Sequence, residues 1–141
     1  VRLSKRTEYA IRALVHLARL GPGQFVQSRD VARAEELPAK FLESVMLGLK
    51  RNGYATSKVG AGGGYRLART PRDILLTDVI ARLEQPDSTP PNDDRPGGAA
   101  LALIDARLDT ARLDALAGLS LETLVDHVQH HLKTRDAMFY I

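Results

Sequence analysis

Cysteine is absent from the 141 residues. That excludes disulfides, thiol nucleophiles and thiolate-held metals together. It leaves the redox compartment open, although a cytoplasm is compatible. No apolar run approaches the ~20 residues that a membrane-spanning helix needs, so no membrane is expected as a partner. The first residues, Val1 to Arg6, are basic and lack an apolar core segment, which predicts a cytoplasmic protein without a signal peptide. Carboxylates are scattered and no serine sits in a nucleophile elbow, so neither an enzyme nor a cofactor is expected. No internal repeat is apparent.

What the chain does have is charge, unevenly spread. Net charge is only +3, yet residues 1–82 hold 15 Lys/Arg against 7 Asp/Glu, a balance of +8. Residues 83–141 hold 5 against 10, a balance of −5. A basic half beside an acidic half points to a polyanion-binding unit and a second unit with another task.

Periodicity predicts a helix over Thr7 to Leu20, with Tyr9, Ala10, Ala13, Leu14, Leu17 and Ala18 on one stripe, closed by Gly21-Pro22-Gly23. His16 within it reads as structural. Ser28 is the expected N-cap of a second helix, Arg29 to about Glu36. Pro38 suits the first turn of a third helix carrying Phe41, Leu42, Val45, Met46 and Leu49, which Asn52-Gly53 stops. Two short helices and a tight turn, with Lys40, Glu43, Ser44, Lys50 and Arg51 on the outer face, fit a helix-turn-helix. Tyr54 to Val59 and Tyr65 to Ala68 read as two strands around a glycine-rich tip. Thr77 is the expected cap of a fourth helix ending at Glu84, with Val79, Ile80 and Leu83 inward. Gln85 to Gly98, with four prolines, three aspartates and two glycines, reads as a loop. Ala99 to about Ala117 is a strong helix; Leu101, Ile104, Leu108, Ala111 and Ala115 fall within about 80° of one another. Gly118 ends it. Ser120 starts a last helix through about Leu132, followed by an apolar tail, Ala137 to Ile141.

The segment Lys58 to Arg69, K-V-G-A-G-G-G-Y-R-L-A-R, is the most informative stretch. Glycines allow backbone to approach another surface closely, and Lys58, Arg66 and Arg69 make a polyanion the natural surface. A phosphate-binding nucleotide loop does not fit, because Tyr65-Arg66 stand where Lys-Ser/Thr would be needed and no helix follows. The expected DNA-facing set is Lys5, Arg6, Ser28, Lys40, Phe41, Glu43, Ser44, Lys50, Arg51, Lys58, Gly60, Gly62, Gly63, Gly64, Tyr65 and Arg66. Within it, Lys40, Glu43 and Ser44 lie where major-groove readers sit, while Lys5, Arg6, Lys50 and Arg51 suit phosphates. His127 and His131, four apart on one helix face, are the only metal-ligand pairing worth weighing. Interaction of their charge with the helix C-terminus explains them equally, and no metal site is expected.

Four stretches resemble one family: V-R-L-S-K-R-T-E-Y-A-I-R-A-L at the start, K-F-L-E-S-V-M-L-G-L-K-R-N-G-Y-A-T-S in the third helix, G-G-G-Y-R-L-A-R in the wing and I-L-L-T-D-V-I-A-R-L-E after it. In one register over residues 1–84, they resemble the Rrf-two (Rrf2) family of bacterial transcription regulators, the group of IscR, NsrR and CymR. The resemblance implies a fold that is mainly α with a small β-wing: a winged helix-turn-helix (1–84), a loop (85–98), and a long dimerisation helix with a C-terminal helix and tail (99–141). It also implies a homodimer on a pseudo-palindrome of double-stranded DNA, with Leu101, Ile104, Leu108, Ala111 and Ala115 at the dimer seam. By matching position, Lys40, Phe41, Glu43 and Ser44 open the recognition helix, and Gly60 to Arg66 form the wing. The chain departs from the family pattern in places. Many members carry three cysteines where this one has Q-P-D-S-T-P-P-N-D-D-R-P-G-G, so cluster ligation in that manner is excluded. Val59 stands where arginine is common, Ala61 where proline is frequent, and Pro38 where serine often stands.

The expectation is therefore a cluster-free, homodimeric repressor reading a specific DNA sequence, its input left open between a small-molecule effector, a protein partner and constitutive binding without either. The competing expectations are a protein–protein adaptor that has lost specific DNA reading, and a metal-responsive switch at His127 and His131.

Overall fold

The computed structural model describes residues 3–84 and 93–139. Along these, the elements are α1 (Lys5–Leu20), α2 (Ser28–Ala34), α3 (Ala39–Arg51), β1 (Ala55–Lys58), β2 (Gly64–Leu67), a 3-10 turn (Pro71–Asp73), α4 (Leu76–Leu83), α5 (Pro96–Ala115) and α6 (Leu121–Phe139). The expected class, mainly helical with a small β-wing, is the one observed.

The core forms where the apolar stripes of the first helices meet. Ala10, Ala13, Leu14 and Leu17 of α1, Val31 and Ala32 of α2, and Leu42, Val45, Met46 and Leu49 of α3 are buried together. Tyr54, Ile74, Leu76, Val79 and, from far along the chain, Leu121 complete it. Each fully buried leucine or valine stabilises by about 1.5–3 kcal/mol relative to exposure. Arg12 bonds Glu35 at 3.5 Å, and His16 lies 3.9 Å from the same carboxylate, tying α1 to the end of α2.

Several element ends differ from the sequence expectation, each for an identifiable reason. Helix α1 starts at Lys5 because the Ser4 hydroxyl accepts from the Thr7 N–H at 3.2 Å. Ser28 is not a cap: it is the first residue of α2, and extended Gln27 occupies the cap position without a side-chain bond. Pro38 stands just outside α3 as its cap residue rather than in the first turn. Between α2 and α3 the chain reverses through Glu36 at φ 55°, the one non-glycine among the described residues in that left-handed region. Thr77 is likewise not a cap, since α4 begins at Leu76 with Leu75 extended before it.

The strands pair antiparallel, with Ala55 opposite Leu67 and Lys58 opposite Gly64. The first is shorter than expected, since Tyr54 is buried ahead of β1 and Val59 lies beyond its end; the second keeps its expected length but starts one residue earlier, at Gly64. The expected loop over 85–98 shortens, because Pro96 serves as the first residue of α5 and carries Gly97 and Gly98 into the helix. The remainder of that expectation, over 85–92, lies outside the described residues. Helix α6 runs to Phe139, so the tail is helical up to that point.

Helix α5 adds nothing to the core, because none of its residues is buried. At twenty residues it is about 30 Å long. Leu101, Ile104, Leu108, Ala111 and Ala115 are all exposed, Leu101 by 62% and Leu108 by 49%. The chain then returns. The Leu76 N–H donates to the Leu119 carbonyl at 2.9 Å, and the Leu121 N–H donates to the Ile74 carbonyl at 2.8 Å. From there α6 packs along α1.

Candidate nucleic-acid interface

Helix α3 has two unlike sides. Leu42, Val45, Met46 and Leu49 enter the core. Lys40, Glu43, Ser44, Leu47 and Arg51 form one exposed row at spacings of three and four, and Lys50 is exposed beside it. Phe41 is 37% exposed, and its ring meets Tyr9 of α1 edge-on, with centroids 5.3 Å apart. Of the expected reading residues, Lys40, Glu43 and Ser44 are thus brought together, whereas Phe41 is partly engaged by α1. Leu47 was not among them.

The wing is built against the chain before α2. The Val26 N–H donates to the Tyr65 carbonyl at 2.8 Å, and the Tyr65 N–H donates to the Val26 carbonyl at 2.7 Å. The Gln27 side-chain amide donates to the Gly63 carbonyl at 3.1 Å. Gly60 and Gly62 are exposed at the tip. Gly63 and Gly64 are not: both are buried. A Cβ on Gly63 would collide with the Lys58 carbonyl, and one on Gly64 with the Val26 carbonyl. Their lack of a side chain serves internal packing, which corrects their expected place at the DNA surface.

Lys58 and Arg66 project from one face of the wing, over Phe25. The Arg66 guanidinium carbon lies 4.5 Å from the ring centroid, and the Lys58 ammonium 5.9 Å. Stacking on a ring orients a guanidinium while leaving its edge donors open. Sequence reasoning passed over Phe25; an aromatic one residue before the segment that pairs with the wing was the available signal. Arg69 is engaged elsewhere, donating to the Asp73 carbonyl at 2.8 Å and lying over Tyr54. On β2, burial pushes the Tyr65 phenol above its ordinary pKa, and the Glu43 carboxylate adds to this.

At the other side of α3 lies a groove of about 680 Å³, lined by Ser4, Arg6, Ser44, Gly48, Arg51, Arg82 and Glu84 among others. Three arginines and one glutamate line it together. Glu84 is itself occupied, accepting from the Ser4 N–H at 2.5 Å. Burial opposes its charge, but hydrogen bonds from the Ser4 backbone, Thr7 and Ser4, with the nearby Arg112, hold its pKa below the ordinary 4.5. Arg82 is a second residue that sequence reasoning missed; only the fold brings the end of α4 alongside α3. Lys5 is exposed but pairs loosely with Glu8 at 3.6 Å. Ser28 is half-buried in the first turn of α2.

His127 and His131 are both exposed on α6. Among the described residues no three His, Cys, Asp or Glu side chains come together as a metal site. Nor is any helix among them long and apolar enough to cross a membrane.

Comparison with known proteins gives a consistent picture. Residues 3–130 match the family described as "Rrf2: Iron-dependent Transcriptional regulator". Over 85 residues the chain is 38% identical to Protein rrf2 of Nitratidesulfovibrio vulgaris, covering 60% of this chain and 57% of that protein. The chain spans a little over half the length of the curated relatives it matches. Among solved structures, CymR, the global cysteine regulator of B. subtilis, superposes with a TM-score of 0.71 at 26% identity, covering 90% of this chain and 98% of that one. IscR of T. potens superposes with a TM-score of 0.74 at 25% identity, covering 91% and 88%. The donor set of this chain does not fit a thiolate-held iron–sulfur group, since it has no cysteine.

Proposed function

Because the chain belongs to the Rrf2 family, we propose that it is a cytoplasmic, homodimeric DNA-binding transcriptional regulator that works without an iron–sulfur cluster and represses by occupying a pseudo-palindromic operator. The observation that carries this reading is the exposed row Lys40, Glu43, Ser44 and Arg51 on α3, flanked by the Lys58/Arg66 wing and by the Arg6/Arg51/Arg82 groove. Side chains that can read base edges are thus framed on both sides by cations suited to phosphates. None of the row supports the core.

Dimerisation is supported by α5, which exposes Leu101, Leu103, Ile104, Leu108 and Leu113. A helix whose apolar side chains find no cover among the described residues gains by pairing with a second copy, and a two-fold dimer reads a two-fold site. Its alanines permit close approach. Repression needs only promoter occlusion, whereas activation needs a further polymerase surface. No catalytic role enters this reading.

The test is selection of sheared host DNA by the purified protein without added metal, followed by sequencing of the retained fragments. Enrichment of one pseudo-palindrome supports the reading. Binding that fades uniformly with salt and prefers no sequence would refute it.

A further inference from the structure

We propose that Leu47 is a base-contacting residue that reads a thymine methyl group in each half-site. The inference rests on the DNA-reading function proposed above and adds a specificity determinant to it. Leu47 is 41% exposed, although it sits in a helix whose other leucines, Leu42 and Leu49, are completely buried. It belongs neither to the core cluster nor to the half-buried apolar side chains packed on it. It is not part of a wider apolar patch on its row, since its neighbours there are Glu43, Ser44 and Arg51.

Position gives this leucine its meaning. Lys40, Glu43, Ser44 and Leu47 fall at i, i+3, i+4 and i+7, the spacing by which a recognition helix of the homeodomain type presents its readers to the major groove. From Lys40 to Leu47 the helix rises about 10 Å, roughly three base-pair steps. Leucine cannot donate or accept a hydrogen bond. The one apolar group on the floor of the major groove is the C5-methyl of thymine. A methyl taken from water by a leucine side chain gains through the same burial that drives a core. The polar neighbours would then read adjoining base edges while Leu47 reads the methyl.

Replacing thymine by deoxyuridine removes that methyl and keeps every hydrogen-bonding group. The experiment takes the selected operator, substitutes deoxyuridine at one thymine at a time, and measures Kd for the wild-type protein, Leu47→Ala and Leu47→Met. The expected result is one thymine per half-site whose substitution weakens the wild-type protein about three- to fivefold. Leu47→Ala should show no loss at that position, and Leu47→Met should retain it. Far-UV circular dichroism and thermal melting establish that the variants are folded. Equal sensitivity of the wild-type protein and Leu47→Ala at every thymine would overturn the proposal, as would a wild-type protein indifferent to every substitution. Retention of no specific fragment at the selection step would overturn the regulatory reading and this inference with it, a failure visible before any uracil is introduced.

Discussion

Gly64→Ala should destabilise the protein far more than an exposed loop substitution. Gly64 opens β2 at φ 127°, a backbone conformation that L side chains rarely adopt. Holding a non-glycine residue in such a region costs about 1–3 kcal/mol. Its new Cβ would also press on the Val26 carbonyl and lie 2.8 Å from the Gln27 nitrogen. That backbone cannot yield freely, because Val26 and Tyr65 exchange two hydrogen bonds of 2.7 and 2.8 Å. Releasing the pair forfeits roughly 0.5–1.5 kcal/mol per bond. The expected loss is therefore about 2–4 kcal/mol, near 6–15 °C in Tm for a chain of this size. Urea unfolding at fixed protein concentration measures it, and amide exchange at Val26 and Tyr65 should speed in step. Gly48→Ala is the control: this glycine lies inside α3 with nothing within 4 Å of an added Cβ, so alanine should stabilise by about 0.4–1 kcal/mol. A Gly64→Ala protein within 0.5 kcal/mol of wild type would refute the account of how the wing is seated.

Four further outcomes are expected. Glu43→Ala should relax preference at one base pair per half-site by about 1–3 kcal/mol, read from binding to a panel of single-substitution operators; unchanged preference would return Glu43 to an ordinary surface role. Lys50→Ala should weaken all sequences alike and flatten the dependence of log K on log salt by about one, and a loss confined to one sequence would contradict a phosphate contact. Leu108→Asp should yield monomers by analytical ultracentrifugation with the fold intact, since Leu108 is 49% exposed within its own chain. Because the folded-state pKa of Glu84 is lowered, its carboxylate contributes fully above about pH 4.5 and loses its contribution as pH falls through the lower folded value. Glu84→Gln should thus cost roughly 0.5–1 kcal/mol at neutral pH and converge with wild type in acid, as followed by urea unfolding across pH.

The stripes that build the core were legible in the sequence because each helix repeats its apolar residues at its own period. Ends and assignments that depend on distant partners were not. Ser28 has the chemistry of a cap, but Val26 is held by Tyr65, and the extended chain leading from it leaves Gln27 at the cap position. Thr77 has that chemistry too, yet α4 starts one residue earlier, where the Leu76 N–H finds the Leu119 carbonyl. Gly63 and Gly64 resembled Gly60 and Gly62 in sequence; only the approach of Lys58 and Val26 backbone separates packing glycines from tip glycines. Two signals were local and could have been used. Ser4 with Thr7 marks the start of α1, and Pro96 is suited to open α5. Within the candidate site the exposed polar residues of α3 were legible from spacing. Leu47 was placed neither on the apolar stripe of that helix nor among its outer-face residues, and only its 41% exposure sets it apart from Leu42 and Leu49.

Leu121 has a consequence for how this molecule can be divided. It is completely buried in the same cluster as Leu14 and Ile74, and its N–H closes on the Ile74 carbonyl. The helix-turn-helix half is therefore completed by a residue from beyond α5, and the chain that follows α5 returns to that body through Leu119 and Leu121. A fragment ending at residue 84 would leave an open socket beside α1 where Leu121 belongs. A chain rejoined from Glu84 to Leu119 by a short flexible segment would keep the socket filled and discard α5. The second architecture isolates the reading head, and the first damages it.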